Sequence, residues 1–558
     1  YMKYIFLLIS LFTFNFLQAQ VTGVVKDAAG EPIPGANVFW MNTTNGVTTN
    51  EDGNFSIHKP ARSHMLVVSF IGFENDTIHV DKGNQQLDIV LREGVELSEV
   101  NVVTRKLGTM KLRTSVMNED MISSAELTRA ACCNLGESFV TNPSVDVSYS
   151  DAATGAKQIK LLGLSGTYVQ MMTENIPNFR GAAAPYGLGY VPGPWMQSIQ
   201  VSKGSSSVKN GYESITGQIN VEFKKPQLPE ADWVSANLFA SSTNRYEANA
   251  DATVKLSKRW STSLLAHYEN ETKSHDSNDD GFVDIPRVEQ YNVWNRWAYM
   301  GDHYVFQAGI KALHETRNSG QIAHGNTPSH DLYEIGIKTN RYEAFTKNAY
   351  IFDKEKNTNL ALILQGTLHN QDANYGRKLY DVDQSNFYAS LLFETELSKQ
   401  HSLSAGLSFN YDGYDQNYRL TNQAEEGLTK KFVKESVPGA YVQYTFNLND
   451  QLMLMGGIRG DYSSEYGFFV TPRAHVKYNP NEYLHFRLSA GKGYRTNHVL
   501  AENNYLLASS RKMKIASHLD QEEAWNYGAS VSTYIPLFGK TLNVNCHLYP
   551  SDAADDLT

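Results

Sequence analysis

Apolar and polar residues alternate by twos through much of the second half of the chain. From Ala248 to Ser257, the residues Ala248, Ala250, Ala252, Val254 and Leu256 fall in one phase, and Asn249, Asp251, Thr253, Lys255 and Ser257 in the other. Leu403, Ala405, Leu407, Phe409 and Tyr411 are set in the same way against Ser402, Ser404, Gly406, Ser408 and Asn410. Leu484, Phe486, Leu488 and Ala490 alternate with His485, Arg487 and Ser489. A period of two sends successive side chains to opposite faces of a strand, so one face meets an apolar phase and the other a polar interior. The spacing predicts short turns near 257–258, 301–302, 353–358, 398–401, 447–451, 479–481 and 537–540. It predicts long polar connections at 270–286, 315–340, 370–385, 414–436 and 494–522. Alternating short and long connections mark an antiparallel transmembrane β-barrel, with short turns in the periplasm and long loops outside. About fourteen strands and the start of another at Thr541–Leu548 are legible.

The N-terminus settles how such a chain reaches a membrane. Met2 and Lys3 precede an apolar run from Tyr4 to Leu17, then Gln18-Ala19-Gln20, which predicts a signal peptide over 1–19. A retained anchor is the alternative, but the run is short for a span. Past Ala19 no stretch of about 18 apolar residues follows, so entry into a membrane would have to be as a barrel. A net charge of -10 opposes non-specific nucleic-acid binding. The three cysteines, Cys132, Cys133 and Cys546, cannot make a disulfide framework. Cys132 and Cys133 read as two small buried thiols, with a vicinal disulfide or a soft-metal pair as alternatives.

Before the barrel pattern, short β-rich runs are punctuated by Asp27-Ala-Ala-Gly30, Pro34-Gly35, Asn45-Gly46 and Glu51-Asp52-Gly53-Asn54, which predicts a small antiparallel sandwich over residues 20–95. The strings VTGVVKDAAGEPIPGANVFW, GVTTNEDGNFSI and LVVSFIGFE resemble the carboxypeptidase regulatory-like domain, an accessory sandwich without catalytic residues. A linker at 96–105 follows, with Glu99, Val100, Asn101, Val102, Val103 and Thr104 as a short β-prone segment able to add to another protein's sheet edge. It looks like the TonB box of TonB-dependent outer-membrane receptors, the alternative being a last strand of the sandwich.

Residues 106–226 extend that resemblance. Asn142-Pro143-Ser144-Val145-Asp146-Val147, Ile159 to Leu164, Gln170 to Pro177 and the stretch from Val201 to Pro226 are similar to successive strands of the plug domain of these receptors. Leu162-Gly163 stands where the family usually has Arg-Gly, and Glu174-Asn175 where it has Asp-Gly. Gly204, Gly211 and Gly217 read as tight-turn positions. The loop from Asn178 to Tyr190 offers Phe179, Arg180, Tyr186 and Tyr190 as candidate substrate contacts, aromatic area beside one cation; packing against the barrel wall is the alternative. The resemblance implies an all-β-dominated fold: the small β-sandwich, an α+β plug domain, and an incomplete transmembrane β-barrel over 227–549 with about 14–15 strands. About 22 strands are expected of such a plugged transporter. With Tyr1 ahead of Met2 and an aberrant, non-strand tail at 550–558, the expectation is a C-terminally truncated reading frame.

The resemblance implies active uptake of a scarce nutrient across the outer membrane, driven by a TonB-type energy-transducing complex that grips Glu99–Thr104. The ligand class expected is a metal chelate: ferric siderophore, haem, cobalamin or another complex. A ligand-binding surface receptor or adhesin without transport, and a nonfunctional fragment, are the rivals. No Gly-x-Ser-x-Gly elbow or metalloprotease helix is present, so no enzyme is expected and no cofactor is required. In the loop after the third barrel strand, Asp276, Asn278, Asp280, Gly281 and Asp284 match the first half of a calcium loop, but Arg287 stands where its last Glu belongs. That loop reads either as a Ca2+ site on the outer side or as a solvated acidic loop.

Overall fold

The computed structural model describes residues 20–91 and 109–549 apart from short internal stretches, of which 323–331 is the longest. The signal segment 1–19, the Glu99–Thr104 segment, Cys132 and the tail 550–558 lie outside the described residues.

Residues 20–91 build two small sheets. One orders β4 (Asn54–His58), β1 (Gln20–Lys26) and β7 (Gln86–Val90); the other orders β3 (Gly46–Thr48), β2 (Asn37–Trp40), β5 (Met65–Ser69) and β6 (Asp76–His79). Alternate residues turn inward, so Val21, Phe55, Ile57, Val38, Trp40, Leu66 and Val68 form its core. The sandwich is not purely antiparallel as the turn spacing suggested. The chain crosses to the second sheet for β5 and β6 and returns, so β7 runs parallel to β1.

The plug sheet orders β13 (Ile176–Pro177), β12 (Val169–Thr173), β15 (Gly217–Phe223), β14 (Met196–Lys203), β9 (Asn118–Ser123) and β8 (Thr109–Lys111). A separate hairpin of β10 (Val145–Asp151) and β11 (Ala156–Leu161) and the short helix α1 (Ser124–Arg129) complete it. Gly204 (φ 80°) and Gly211 (φ 105°) hold the left-handed conformations expected of them. At Gly217 a Cβ would come within 2.3 Å of the Ser202 carbonyl oxygen. Both family departures also fall on left-handed backbone: Leu162 at φ 57°, and Glu174 and Asn175 at φ 51° and 61° in the β12–β13 turn. Such a turn suits Asn-Gly pairs, so Glu174 is held there by what its side chain reaches.

Fifteen strands, from β16 (Trp233–Ala240) to β30 (Lys540–Leu548), pair antiparallel in chain order as one sheet. The period of two is realised as read: Glu247, Asn249, Asp251 and Thr253 are buried on the inner face, while Tyr246 and Val254 lie exposed outside. On β18 (Trp260–Glu271) and β19 (Arg287–Met300), the outward pairs Trp260–Tyr299 and Tyr268–Tyr291 have ring centroids 5.1 and 4.9 Å apart. Eight residues separate the two pairs, about 27 Å along the strand, close to the roughly 25 Å apolar band between the aromatic girdles of membrane barrels. Leu264, Val293 and Trp297 are exposed between them.

The expected long connections differ in size. Residues 370–385 form a hairpin: β22 (Thr358–Tyr375) passes through the two-residue turn Gly376-Arg377 into β23 (Lys378–Ser398). The stretches 315–340 and 414–436 are likewise shortened by strands that run into them. The reason is strand length. β23 has 21 residues, whereas about 9–11 cross the hydrocarbon, so the polar remainder stays strand while standing in water. Among the described residues no helix is long and apolar enough to cross a membrane.

Candidate functional site

A cavity of about 310 Å³ lies where the plug strands and loops face the barrel wall on the side of the 496–521 connection. β12 contributes Gln170, the loop after β13 contributes Phe179 and Arg180, and the segment before β15 contributes Tyr212 and Glu213. Asp412 comes from β24 (His401–Arg419), Glu435 from β25 (Thr429–Leu448), Arg495 from β28 (Leu484–Arg495) and Glu522 from β29 (Glu522–Leu537). Helix α2 (Val499–Glu502) adds Glu502. That connection is folded inward: Leu500, Ala501 and Leu507 are buried in the plug–barrel core. Lys378 Nζ donates to the carbonyls of Leu507, Ser509 and Arg511 at 3.2, 2.6 and 3.1 Å, and Tyr333 donates its hydroxyl to the Ala508 carbonyl.

Two guanidiniums organise the charge. Arg180 pairs with Glu213 at 2.5 Å and with Asp412 at 3.4 Å. Burial pulls its protonation down, but these carboxylates more than compensate and hold it above the ordinary arginine range. Arg495 pairs with Glu522 at 2.7 Å and with Glu502. Glu435 is buried and accepts from the hydroxyls of Ser463 at 2.5 Å and Thr496 at 3.2 Å, both on Oε1. Gln170, also buried, donates Nε2 to the Asn210 carbonyl at 2.7 Å, and its Oε1 has no hydrogen-bond partner.

Of the four candidate contacts, Phe179 and Arg180 line this cavity and Tyr186 and Tyr190 do not. Tyr186 is 3% exposed and bonds the Asn504 side chain at 3.2 Å. Tyr190 is fully buried, with its carbonyl accepting from Asn292 and Lys311. Large aromatic surfaces are worth more inside the plug–wall junction than in a wet loop, so these two pack. The carboxylates Glu213, Asp412, Glu435, Glu502 and Glu522 were not singled out in the sequence. Asp412 could have been, because it shares the inward phase of Ser408 and Asn410.

On the outer loop, Asp276 accepts from the backbone N–H groups of Asp280 (3.1 Å) and Gly281 (2.9 Å), Asp280 from that of Phe282, and Asp284 from that of Ser277. Asn278 Nδ2 donates to Asp280 at 3.0 Å. The four side chains thus share one turn, with Asp279 and Gly281 in the left-handed conformation. Among the described residues no group of three or more His, Cys, Asp or Glu side chains is gathered to hold a metal. Cys133 is buried.

The rest of the plug meets the barrel through buried polar groups. Glu174, 3% exposed, pairs with Arg296 at 2.6 Å and with Lys347 at 3.5 Å. Arg341 donates to the Asn178 side chain at 2.6 Å, and Arg473 to the Ser207 carbonyl at 3.0 Å.

Comparison with known proteins bears on the whole of this architecture. Residues 21–103 match the CarboxypepD_reg-like domain, 111–218 the TonB-dependent Receptor Plug Domain, and 204–549 the TonB dependent receptor-like, beta-barrel family. TonB-dependent receptor SusC of Bacteroides thetaiotaomicron is 28% identical over 245 residues, 41% of this chain and 24% of that protein. TonB-dependent receptor P39 of Formosa agariphila is 39% identical over 100 residues, 17% of this chain and 10% of that protein. The match thus spans a quarter or less of the length of these curated relatives. The alcaligin outer-membrane receptor FauA of Bordetella pertussis superposes with a TM-score of 0.61 at 14% identity, covering 82% of this chain and 76% of that one. The siderophore receptor PirA of Acinetobacter baumannii gives 0.59 at 14% identity, over 74% and 68%. Sandwich, plug and barrel, in this order and with the barrel family matched across more than half of the chain, place it among the TonB-dependent receptors, β-barrel proteins of the outer membrane that are not enzymes, and to that family it belongs.

Proposed function

We propose that the chain takes part in energised uptake of a scarce, compact nutrient across the outer membrane, and that the ligand binds in the cavity between plug and wall. The observation carrying this reading is that the plug's Arg180 and the barrel's Asp412 line one cavity and pair across it. A ligand seated there touches both parts at once, so its binding and the plug's position are coupled. The polar plug–wall contacts suit a part that must move. Their groups are rehydrated on separation, whereas an apolar interface of the same area would resist entry of water.

A cavity of about 310 Å³ sits at the low end of small-molecule sites, roughly 300–1,000 Å³. That favours a small ligand over a polymer, and, among metal chelates, a compact complex such as a small ferric siderophore over haem or cobalamin, whose volumes exceed the cavity. The outer membrane has no energy source of its own, so we assign the driving force to a TonB-type complex acting on Glu99–Thr104. The test is binding and uptake of radiolabelled chelates by cells expressing the chain, with and without the energising complex. Binding in both and uptake only with the complex supports the reading. Binding without uptake in either makes the chain a surface receptor.

A further inference from the structure

We infer that the cavity takes a ligand that presents hydrogen-bond donors, above all a protonated amine, and discriminates against ligands rich in carboxylate or phosphate. The inference rests on the cavity being the ligand site proposed above, and adds the charge class. Its ground is which valences of the lining are already used. Arg180 and Arg495 are the guanidiniums in the lining, and each is held by two carboxylates. The third cation, Lys157, lies over the Tyr149 ring at 5.1 Å. An incoming anion would have to compete with fixed carboxylates for both guanidiniums, which leaves it Lys157 as the one cation not held by a carboxylate, against five carboxylates in the same lining.

Acceptors are in surplus. Glu435 accepts from two hydroxyls, faces His498 and has no Arg or Lys salt-bridge partner among the described residues; both hydroxyls approach Oε1, which leaves Oε2 for a further donor. Gln170 is 4% exposed and its Oε1 is without a hydrogen-bond partner. A buried amide oxygen of this kind loses its hydration on folding and recovers it only when a donor arrives. The lining holds five carboxylates (those four paired with the guanidiniums, and Glu435) against three cations, an acidic balance that a single further positive charge would not reverse. Phe179, Tyr168 and Tyr212 supply apolar wall around these groups. Such walls favour an amine borne on a carbon skeleton over a bare hydrated ion.

The experiment is titration calorimetry on the full chain in detergent with one scaffold in several charge states. The probes are the gallium complex of a linear trihydroxamate with a free terminal amine, the same complex N-acetylated, the same complex N-succinylated, and the metal-free amine. The ammonium complex is expected to bind at least about tenfold tighter than the succinylated one, with the acetylated one between. Glu435→Gln should remove most of the gap in affinity between the ammonium and acetyl forms. Equal or tighter binding of the succinylated complex, or no binding of either amine form, overturns the inference. Equal binding of the metal-free and gallium-loaded amines upholds the charge class and instead removes the metal-chelate reading.

Discussion

Replacing Glu174 by Gln takes away the negative charge that two barrel cations share. Glu174 is 3% exposed and Arg296 is 1% exposed, so neither ion is rehydrated when its partner is lost. Breaking a buried pair from one side costs about 3–5 kcal/mol. Here the lower end applies, for two reasons. Arg296 keeps the Lys224 carbonyl at 2.8 Å and the Trp294 ring at 4.5 Å, and its 2.6 Å contact with Glu174 is an ion pair without hydrogen-bond alignment. Lys347 still donates to the Glu174 backbone carbonyl at 3.0 Å. A loss of about 3 kcal/mol, roughly a hundredfold in the equilibrium between seated and unfolded plug, is therefore expected. Urea titration in detergent, followed by the fluorescence of the buried Trp195 and Trp294 at the junction, reads it as a fall in midpoint of about 1–2 M. The paired change Glu174→Leu with Arg296→Met should recover to within about 1 kcal/mol of the parent, since apolar isosteres replace buried ion pairs at little cost. A single change costing less than about 1 kcal/mol, or a double change worse than the single, would refute the anchor.

Three further outcomes are expected. Gly217→Ala should destabilise the plug by about 1–3 kcal/mol, because the added Cβ meets the Ser202 carbonyl oxygen at 2.3 Å and the Leu161 side chain at 2.4 Å; an unchanged urea midpoint would contradict this. In a Cys132→Ala background, Cys133 should react with maleimide far more slowly than the exposed Cys546 at pH 7.5, since burial, then the neighbouring Glu247, pushes its thiol well above the usual range; equal rates would show that the loop opens freely. The 276–284 loop is proposed to bind Ca2+ with a Kd of about 10⁻⁴–10⁻³ M, as its carboxylates already accept backbone N–H groups and its ligand set is incomplete; calorimetry should show the heat lost in Asp276→Ala and Asp280→Ala, and identical heats in all three would remove the site.

What the sequence disclosed follows from the range over which each signal acts. The phase of Ala248 to Leu256 against Asn249 to Thr253 is a local property of strands, and the inner and outer faces follow it residue by residue. Loop size was less legible. Polarity marks water rather than irregular backbone, so residues 370–385, which carry Asn370, Asp372, Asn374 and Lys378, read as a loop and form a hairpin above the membrane. The aromatic loop showed a similar ambiguity: Tyr186 and Tyr190 have the composition of a contact surface and the burial of a core. The cavity was least legible. Arg180 meets Glu213 and Asp412 from positions 33 and 232 residues away, and no local pattern announces which barrel strand will face which plug loop. Glu174 was visible only as a departure from Asp-Gly, and its reason, a left-handed turn residue tied to Arg296 and Lys347, is tertiary.

On the proposed reading, ligand held between plug and wall passes inward only when the 99–104 segment is pulled. Val102→Pro removes a backbone donor from that segment, and with it a ladder bond to any added strand. Surface binding and energised uptake of the iron-loaded ammonium trihydroxamate should be measured side by side in cells expressing either form. Binding equal to the parent with uptake reduced to the unenergised background is the expected result; uptake by Val102→Pro at the parent's rate would contradict the account.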